Sequence, residues 1–397
     1  AWLGKEDHEK MSQYTSYDLI EWGQPFERRN NELPVPTGSE VLVRVTAAGL
    51  CHSDLHVQKG YMDLGQEGRL TFAERGATLP MTFGHEIAGI VEAVGGDVTG
   101  VNCGQQILVF PWIGCGDCEA CDDDRESDCS AMRIIGLKQK GGFATHCLVE
   151  HEKFLVDIEG LDAADVVPHA CSGLTVFNAL EKIGSLREGE WLALIGCGGL
   201  GLNAIALASA LGFANIIAID IDDAKLDAAR QMGAAKALNS RSENALAELQ
   251  SLADNRLMAI IDTFGGVETG RLAVRALAKA GQYLLVGQAG GDFQMPQVWL
   301  PQKAMTVRGS HVGNSAQLRE LIDMVRAGKI KQMPIERRPL STINQAVADL
   351  EDGRVTGRIV FHGRSCFFLL LCMISQMSIG VNRNWKPTGQ AVSSCRF

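Results

Sequence analysis

Two different periodicities of hydrophobic residues divide the chain. In residues 40–49, EVLVRVTAAG, apolar and polar positions alternate as in a half-buried β-strand. Glycine, proline and β-branched residues then recur at short intervals to about Val156. This pattern predicts a mainly β region with long loops.

Near residue 172 the pattern changes to short apolar runs that alternate with helical stretches. The runs are WLALIG (191–196), IIAID (216–220), MAIIDT (258–263) and QYLLVG (282–287). Strands spaced by helices of this length form βαβ units, so the segment predicts a parallel, doubly wound sheet. After Val307 the character is mixed again, up to GRIVFHG at 357–363.

Composition and charge exclude several classes of protein. The 397 residues, 46% of them apolar, suffice for two or three domains of about 150 residues each. A net charge of −10 without a basic stripe argues against nucleic acid as a partner. The absence of an apolar run of about 20 residues argues against a membrane span. The N-terminal stretch lacks the apolar core of a signal peptide, which predicts a cytoplasmic protein.

A glycine-rich turn follows the first of the predicted parallel strands. It reads GCGGLG and comprises Gly196, Cys197, Gly198, Gly199, Leu200 and Gly201. The first glycine permits a tight turn, the second admits a pyrophosphate, and the third lets helix and strand pack closely. Asp220 ends the next strand, about 20 residues further on. In this context the turn predicts a dinucleotide site, and a glycine turn without a ligand is the disfavoured alternative.

Asp220 also bears on the choice of cofactor. Its carboxylate can accept hydrogen bonds from ribose hydroxyls but would repel a 2′-phosphate. Asp222 and Asp223 add to that repulsion. The sequence therefore favours NAD over NADP.

Twelve cysteines in a chain without a secretory signal indicate metal or thiol chemistry. Cys115, Cys118, Cys121 and Cys129 have the spacing CxxCxxCx7C. Four thiolates on one short loop match a closed structural zinc site. An iron–sulfur cluster is the nearest alternative, although its usual spacings differ. The acidic residues between the cysteines argue against a zinc ribbon that binds nucleic acid.

A second group of candidate metal ligands is scattered along the chain. It comprises Cys51 in GLCHSDLH, His85 and Glu86 in GHE, and Cys171 in PHACSG. Ligands from distant segments with an open fourth position are what a catalytic zinc requires. The alternative is that each is simply a packed residue.

The motifs GLCHSDLH, GHEIAGIVEAVG, CGDCEACDDDRESDC, CSGLT and GCGGLG occur in this order. Over about residues 35–363 the chain thereby resembles the zinc-dependent medium-chain alcohol dehydrogenases. The resemblance implies a GroES-like, mainly β catalytic domain over 11–172 with 310–363, interrupted by a Rossmann NAD-binding domain over 173–309. It also implies an α/β fold, a homodimer or homotetramer, and two zinc ions per subunit, one catalytic and one structural.

The resemblance assigns roles to residues around the scattered group. Cys51, His85 and Cys171 match the catalytic zinc ligands. Glu86 resembles a nearby carboxylate that can approach the metal, and Asp54 the acid that orients the histidine ligand.

Further positions match the proton relay and the cofactor contacts of the family. Ser53 and His56 match the relay. Besides GCGGLG and Asp220, the positions that fall at cofactor contacts are His52, Thr175, Lys225, Val286 and Arg358. For His52, the alternative is a plain surface histidine. The implied reaction is reversible hydride transfer between NAD and a primary or secondary alcohol, with an aldehyde or ketone as the product.

The segment between His56 and His85 is long for a connection within one active site. Loops of this length are often lids or binding loops. The hypothesis is a lid over the substrate cleft, which is lined by Trp112, Tyr61 and Met62. A flexible solvent-exposed loop is the alternative.

Other functions remain open at this point. They are a physiological carbonyl reductase of the same family, a thiol-dependent formaldehyde dehydrogenase, and a cofactor-binding structural protein without catalysis. Residues 1–10 and 364–397 are interpreted as extensions that are non-native or disordered, although the basic, acid-free tail is also compatible with a membrane or oligomer contact.

Overall fold

The computed structural model describes residues 13–362. The segments interpreted above as extensions, 1–10 and 364–397, lie outside this range. In chain order, the strands are β1 (Gln13–Leu19), β2 (Glu27–Glu32), β3 (Val41–Leu50), β4 (Tyr61–Asp63), β5 (Arg69–Thr71), β6 (Met81–Thr82), β7 (Glu86–Val94), β8 (Gln106–Val109), β9 (Trp112–Ile113), β10 (Arg133–Ile134), β11 (His146–Val149), β12 (Leu155–Asp157), β13 (Trp191–Ile195), β14 (Ile216–Asp220), β15 (Lys236–Asn239), β16 (Leu257–Asp262), β17 (Gln282–Leu285), β18 (Thr306–Gly309), β19 (Ile335–Pro339) and β20 (Arg358–His362).

The helices occur mainly in the second half of the chain. They are α1 (His52–Lys59), α2 (Glu119–Asp122), α3 (Ala163–Val166), α4 (Ser172–Ile183), α5 (Gly199–Ala210), α6 (Asp223–Met232), α7 (Ala245–Leu252), α8 (Val267–Ala276), α9 (Trp299–Lys303), α10 (Ser315–Arg326) and α11 (Ile343–Glu351). Among the residues just described, none of the helices is both long and apolar enough to cross a bilayer.

Six strands form a parallel sheet in the order β15-β14-β13-β16-β17-β18. Alternate residues of β13 face opposite sides: Leu192 and Leu194 join one hydrophobic core, and Trp191 and Ala193 join another. Burial on both faces explains why the central strands are continuous apolar runs. The predicted doubly wound sheet is confirmed, and its strand order is that of a Rossmann fold.

The mainly β region contains a seven-stranded sheet in the order β12-β8-β7-β3-β20-β19, with β11 also paired to β3. Strand β20 pairs antiparallel with β3, Ile359 opposite Leu50. The chain therefore returns to the sheet of β3 after completing the parallel one. This return places Arg358, at the start of β20, beside the end of β3, which leads into Cys51.

Residues 57–84 form ordered structure rather than a plain loop. Helix α1 continues to Lys59, and β4 and β5 pair as a hairpin. Phe72, directly after β5, is buried. The tip of the hairpin contacts the segment after β17, where the N–H of Gln66 donates to Asp292 Oδ2 at 2.7 Å. The hairpin is thus anchored at both its base and its tip.

Candidate active site and zinc centres

Three distant segments bring Cys51, His85 and Cys171 together. Cys51 is the N-cap of α1, and Cys171 is the N-cap of α4. The Sγ atoms of the two cysteines are 3.9 Å apart, and His85 Nε2 is 3.3 Å from Cys171 Sγ. A zinc ion about 2.3 Å from each sulfur would hold two sulfurs about 3.8 Å apart. The three donors therefore fit a zinc ion that has one further position open.

Asp54 orients the histidine of this group. Its Oδ1 lies 3.2 Å from His85 Nδ1, and its Oδ2 accepts the N–H of Cys51 at 2.9 Å. Burial alone would lower the pKa of His85, yet the Asp54 carboxylate raises it well above its usual value. Because Nδ1 faces Asp54, Nε2 faces the two sulfurs as a ligand atom.

Ser53 and His56 lie on α1, which begins directly after Cys51. Ser53 Oγ is 3.1 Å from Cys51 Sγ and 3.4 Å from His85 Nε2. His56 follows one turn later and is half-buried. Burial, together with the charges of His52 and Lys59, lowers the pKa of His56. A neutral imidazole in this place is able to accept a proton near pH 7.

Glu86 and Arg358 form a buried pair next to Cys51, His85 and Cys171, which are called the metal group below. Arg358 Nη2 lies 3.1 Å from Glu86 Oε1, although without hydrogen-bond alignment, and Nη1 donates to the carbonyl of Leu50 at 3.1 Å. The guanidinium also stands against the start of α5, since a Cβ at Gly199 would lie 3.3 Å from Nε. Arg358 therefore lies between the metal group and the glycine-rich turn.

The glycine-rich turn has the geometry that its sequence predicts. Gly196 has φ +88°, which favours glycine, and a Cβ at Gly201 would collide with the carbonyl of Gly196. A Cβ at Gly198 would meet no atom within 4 Å. Leu200 is half-buried in the first turn of α5. The N-terminus of α5 thus opens onto free space, as an anion site requires.

Buried nitrogen and positive charge support an anionic ligand at this turn. Arg358 Nε is buried and has no hydrogen-bond partner within residues 13–362. Partial burial and the nearby charges of Arg358, Lys59 and Lys225 lower the pKa of His52. A pyrophosphate would satisfy the unpaired N–H, so the residues present fit a dinucleotide.

For the remaining predicted cofactor residues the structure gives a position, and their roles remain predictions; Lys225 lies in α6. Asp220 accepts the N–H groups of Cys197 at 2.6 Å and Ile221 at 2.7 Å. Thr175, in the first turn of α4, donates its N–H to the carbonyl of Cys171. Val286 follows β17 at the carboxyl edge of the parallel sheet.

Of the predicted pocket residues, Trp112 is placed directly at the metal group. Its ring centroid is 5.5 Å from that of His85, and its N–H donates to the carbonyl of Ala170 at 3.0 Å. Tyr61 and Met62 lie in β4, directly after α1. The guanidinium of Arg69 covers the Tyr61 ring at 3.9 Å. For Tyr61 and Met62, the lining role remains a prediction.

The four clustered cysteines converge on a second point. The Sγ–Sγ distances are 3.6 Å for Cys118–Cys121, 3.8 Å for Cys118–Cys129 and 3.9 Å for Cys115–Cys121. These distances again match the edges of a tetrahedron around zinc, about 3.8 Å. Because all four positions are protein sulfurs, the site is closed and fits a structural ion.

Comparisons with known proteins agree with this geometry. The alcohol dehydrogenase GroES-like domain matches residues 37–160, and the zinc-binding dehydrogenase family matches residues 199–327. An NAD-dependent alcohol dehydrogenase of Sulfurisphaera tokodaii is 35% identical and aligns over 86% of this chain and 98% of its own length. The chain belongs to the zinc-dependent medium-chain alcohol dehydrogenases.

Solved structures of alcohol dehydrogenases and a reductase share this fold. The alcohol dehydrogenase of Aeropyrum pernix superposes with a TM-score of 0.80 at 27% identity, over 88% of this chain and all of that chain. The acetophenone reductase of Geotrichum candidum, solved in complex with NAD, has a TM-score of 0.76 at 25% identity, over 89% of this chain and 98% of that chain. The predicted fold class, which joins a GroES-like and a Rossmann domain, is therefore confirmed.

Several residues near this dehydrogenase site were not predicted from the sequence. Ile221 and Phe264 are exposed apolar side chains just after β14 and β16. Their exposure cannot be predicted from the pattern of apolar residues along the chain. His311 stacks edge-on against Trp112, with centroids 6.0 Å apart. Asp262 ends a buried strand as Asp220 does, and that parallel in sequence could have identified it.

Proposed function

We propose that the protein transfers a hydride reversibly between a primary or secondary alcohol and NAD. The observation that carries the proposal is the convergence of Cys51, His85 and Cys171 next to a dinucleotide turn, with Arg358 between them. A zinc ion held by the three donors would polarise the alcohol oxygen and lower its pKa, and NAD would accept the hydride.

The chain's own residues would handle the proton. Ser53 Oγ lies close to both Cys51 and His85, so its hydroxyl can accept the proton of an alcohol that approaches the open position. His56, with its lowered pKa, is neutral near pH 7 and would exchange that proton with solvent. Trp112 would exclude water from the reacting carbon, because its buried ring packs beside His85.

We also propose a second, structural zinc ion at Cys115, Cys118, Cys121 and Cys129. Four sulfurs from one short loop, all within 4.8 Å of one another, support it. The nine cysteines between residues 13 and 362 are all free thiols. Zinc–thiolate sites require reduced sulfur, which supports a reducing compartment such as the cytoplasm.

NAD is the proposed cofactor rather than NADP. Asp220 ends β14 beside the glycine-rich turn, and Asp222 and Asp223 follow it. Three carboxylates near the adenosine ribose would repel a 2′-phosphate.

A homo-oligomer is the proposed assembly. Edge strand β18 exposes all four of its residues, and Val307 in it is 40% exposed. An open edge with an apolar side chain favours pairing with a second copy. Light scattering coupled to gel filtration would distinguish a dimer or tetramer from a monomer.

The function is tested by NADH formation with a panel of primary, secondary and aromatic alcohols, together with zinc analysis. We expect activity with NAD and about two zinc ions per chain for the wild type. Cys51→Ser should lose turnover and one zinc ion while keeping its fold by circular dichroism. Full activity in Cys51→Ser, or none for any alcohol with a zinc-loaded wild type, would contradict the proposal.

Carbonyl reduction is the second candidate, and the similarity to acetophenone reductase favours including it. The same site serves both directions, because the reaction is reversible. NADH consumption with aldehydes and aryl ketones, compared with alcohol oxidation near neutral pH, would establish the preferred direction.

A further inference from the structure

A fully buried carboxylate occupies the carboxyl end of β16. Asp262 is 0% exposed. Its Oδ1 accepts the N–H groups of Phe264 at 3.0 Å and Gly265 at 2.8 Å, and its Oδ2 accepts the hydroxyl of Tyr283 at 3.0 Å. Burying a carboxylate costs free energy unless it is well paired, so this side chain needs its three donors.

The main chain of Asp262 holds a second segment. Its carbonyl oxygen accepts the N–H groups of Val286 at 3.0 Å and Gly287 at 2.9 Å. These two residues follow β17, and Gly287 lies directly against the backbone of Phe264 and Gly265. One residue therefore holds the ends of two neighbouring strands.

The segment held by the carboxylate also contacts the dinucleotide turn. Thr263 Oγ1 donates to the carbonyls of Ile195 at 2.8 Å and Gly196 at 3.0 Å. Phe264, next in the chain, is 55% exposed, although its N–H is tied to a fully buried group. The contacts of Asp262 thus determine where this apolar ring projects beside the turn.

We propose that Asp262 is a positioning residue for NAD: with Tyr283 it holds the Thr263–Gly265 and Val286–Gly287 segments in the arrangement that the cofactor requires. The proposal rests on the proposed function, because it concerns the affinity for NAD. The fully buried carboxylate acts through the N–H groups of Phe264 and Gly265, whereas the main-chain carbonyl of the same residue holds Val286 and Gly287.

Tyr283 makes the arrangement specific for a carboxylate. Burial and the neighbouring Asp262 charge raise the pKa of Tyr283, so its hydroxyl remains protonated and can donate. The three groups that contact the Asp262 carboxylate are therefore all donors. A carboxylate offers them two oxygens, whereas an amide offers only one. Asn at position 262 would turn its NH2 group toward a donor on one side or the other.

A three-variant comparison tests this role. Tyr283→Phe removes one donor without changing the shape of the ring, and Asp262→Asn keeps the size of the side chain. Thr82→Val is the matched control, since Thr82 Oγ1 donates to the buried carboxylate of Asp18 at 2.6 Å, in a different sheet. The readouts are the NADH dissociation constant by fluorescence titration, kcat at saturating NAD, and urea unfolding.

We expect the NADH dissociation constant to rise about fivefold in Tyr283→Phe and about tenfold in Asp262→Asn, the range seen for residues that act through others. Thr82→Val should lose comparable stability and keep the wild-type constant. The value of kcat at saturating NAD should stay within about twofold of the wild type, because the zinc ligands and relay are untouched.

Two results would overturn the proposal. One is an unchanged NADH dissociation constant in folded Tyr283→Phe and Asp262→Asn. The other is an equal loss of affinity in Thr82→Val, because the effect would then follow stability alone. If the wild type bound no NADH, the proposed function itself would fail and the role of Asp262 with it; wild-type binding with unaffected variants refutes the role of Asp262 alone.

Discussion

The buried pair of Arg358 and Glu86 should couple stability to pH. Arg358 Nη2 and Glu86 Oε1 are 3.1 Å apart, with side-chain exposures of 6% and 0%. At an effective dielectric constant of about 20, unit charges at this distance attract by about 5 kcal/mol. Breaking such a pair on one side costs about 3–5 kcal/mol, because the other charge stays buried. Arg358→Met should therefore lower the free energy of unfolding by about that amount when Glu86 is ionised.

The protonation of Glu86 sets the pH range of this effect. Burial raises the pKa of Glu86 from 4.5 to about 8, although Arg358 opposes the shift. Between these values the folded state holds a proton that the unfolded chain releases. The free energy of unfolding of the zinc-free wild type should therefore fall as pH rises from 4.5 to about 8, and Glu86→Gln should remove the part of this slope that Glu86 contributes.

A double-mutant cycle measures the pair directly. Urea unfolding of the zinc-free forms of the wild type, Arg358→Met, Glu86→Gln and the double variant should give a coupling of about 3 kcal/mol near pH 9 and less than about 1 kcal/mol near pH 6.5. A coupling that is equal at both pH values, or below about 1 kcal/mol at each, would refute the reasoning.

Three further predictions concern cofactor choice, proton transfer and the hairpin. Asp220→Asn removes one negative charge beside the proposed ribose site, so the ratio of kcat/KM for NADP to that for NAD should rise about tenfold, and an unchanged ratio would argue against the charge mechanism. His56→Gln should slow alcohol oxidation about tenfold near pH 7 and less at higher pH, where hydroxide takes the proton; a parallel pH–rate profile would exclude His56 as a relay. Asp292→Ala removes the acceptor for the Gln66 N–H at the hairpin tip, so relative kcat/KM values for large and small alcohols should shift about threefold or more; an unaltered substrate panel would contradict the lid hypothesis.

The periodicity of apolar residues predicted the central strands of the parallel sheet. β13, β14, β16 and β17 are buried on both faces or nearly so, and their runs are continuous. The edge strand β18 was not predicted, because all of its residues are exposed and it pairs with a single neighbour. The hairpin of β4 and β5 was also missed, since three-residue strands leave almost no alternation to detect.

The two metal groups illustrate how far spacing alone carries. The four cysteines at 115–129 lie within one loop, so their proximity follows from chain connectivity. Cys51, His85 and Cys171 are separated by up to 120 positions. Their spacing alone is equally compatible with three unrelated residues that are packed in the core. The family resemblance supplied that assignment, and the structure brings the three side chains to one point.

Features that depend on neighbours along the chain could be predicted from the residues alone: the strand and helix pattern, the tight glycine turn and the closed cysteine loop. Contacts between distant residues became visible in the folded chain. Arg358 reaches Glu86 because β20 returns to pair with β3, and Asp262 joins two strand ends because β17 lies beside β16. Such contacts come from the pairing and packing of whole elements, which leaves no periodic signal at the residues that finally touch.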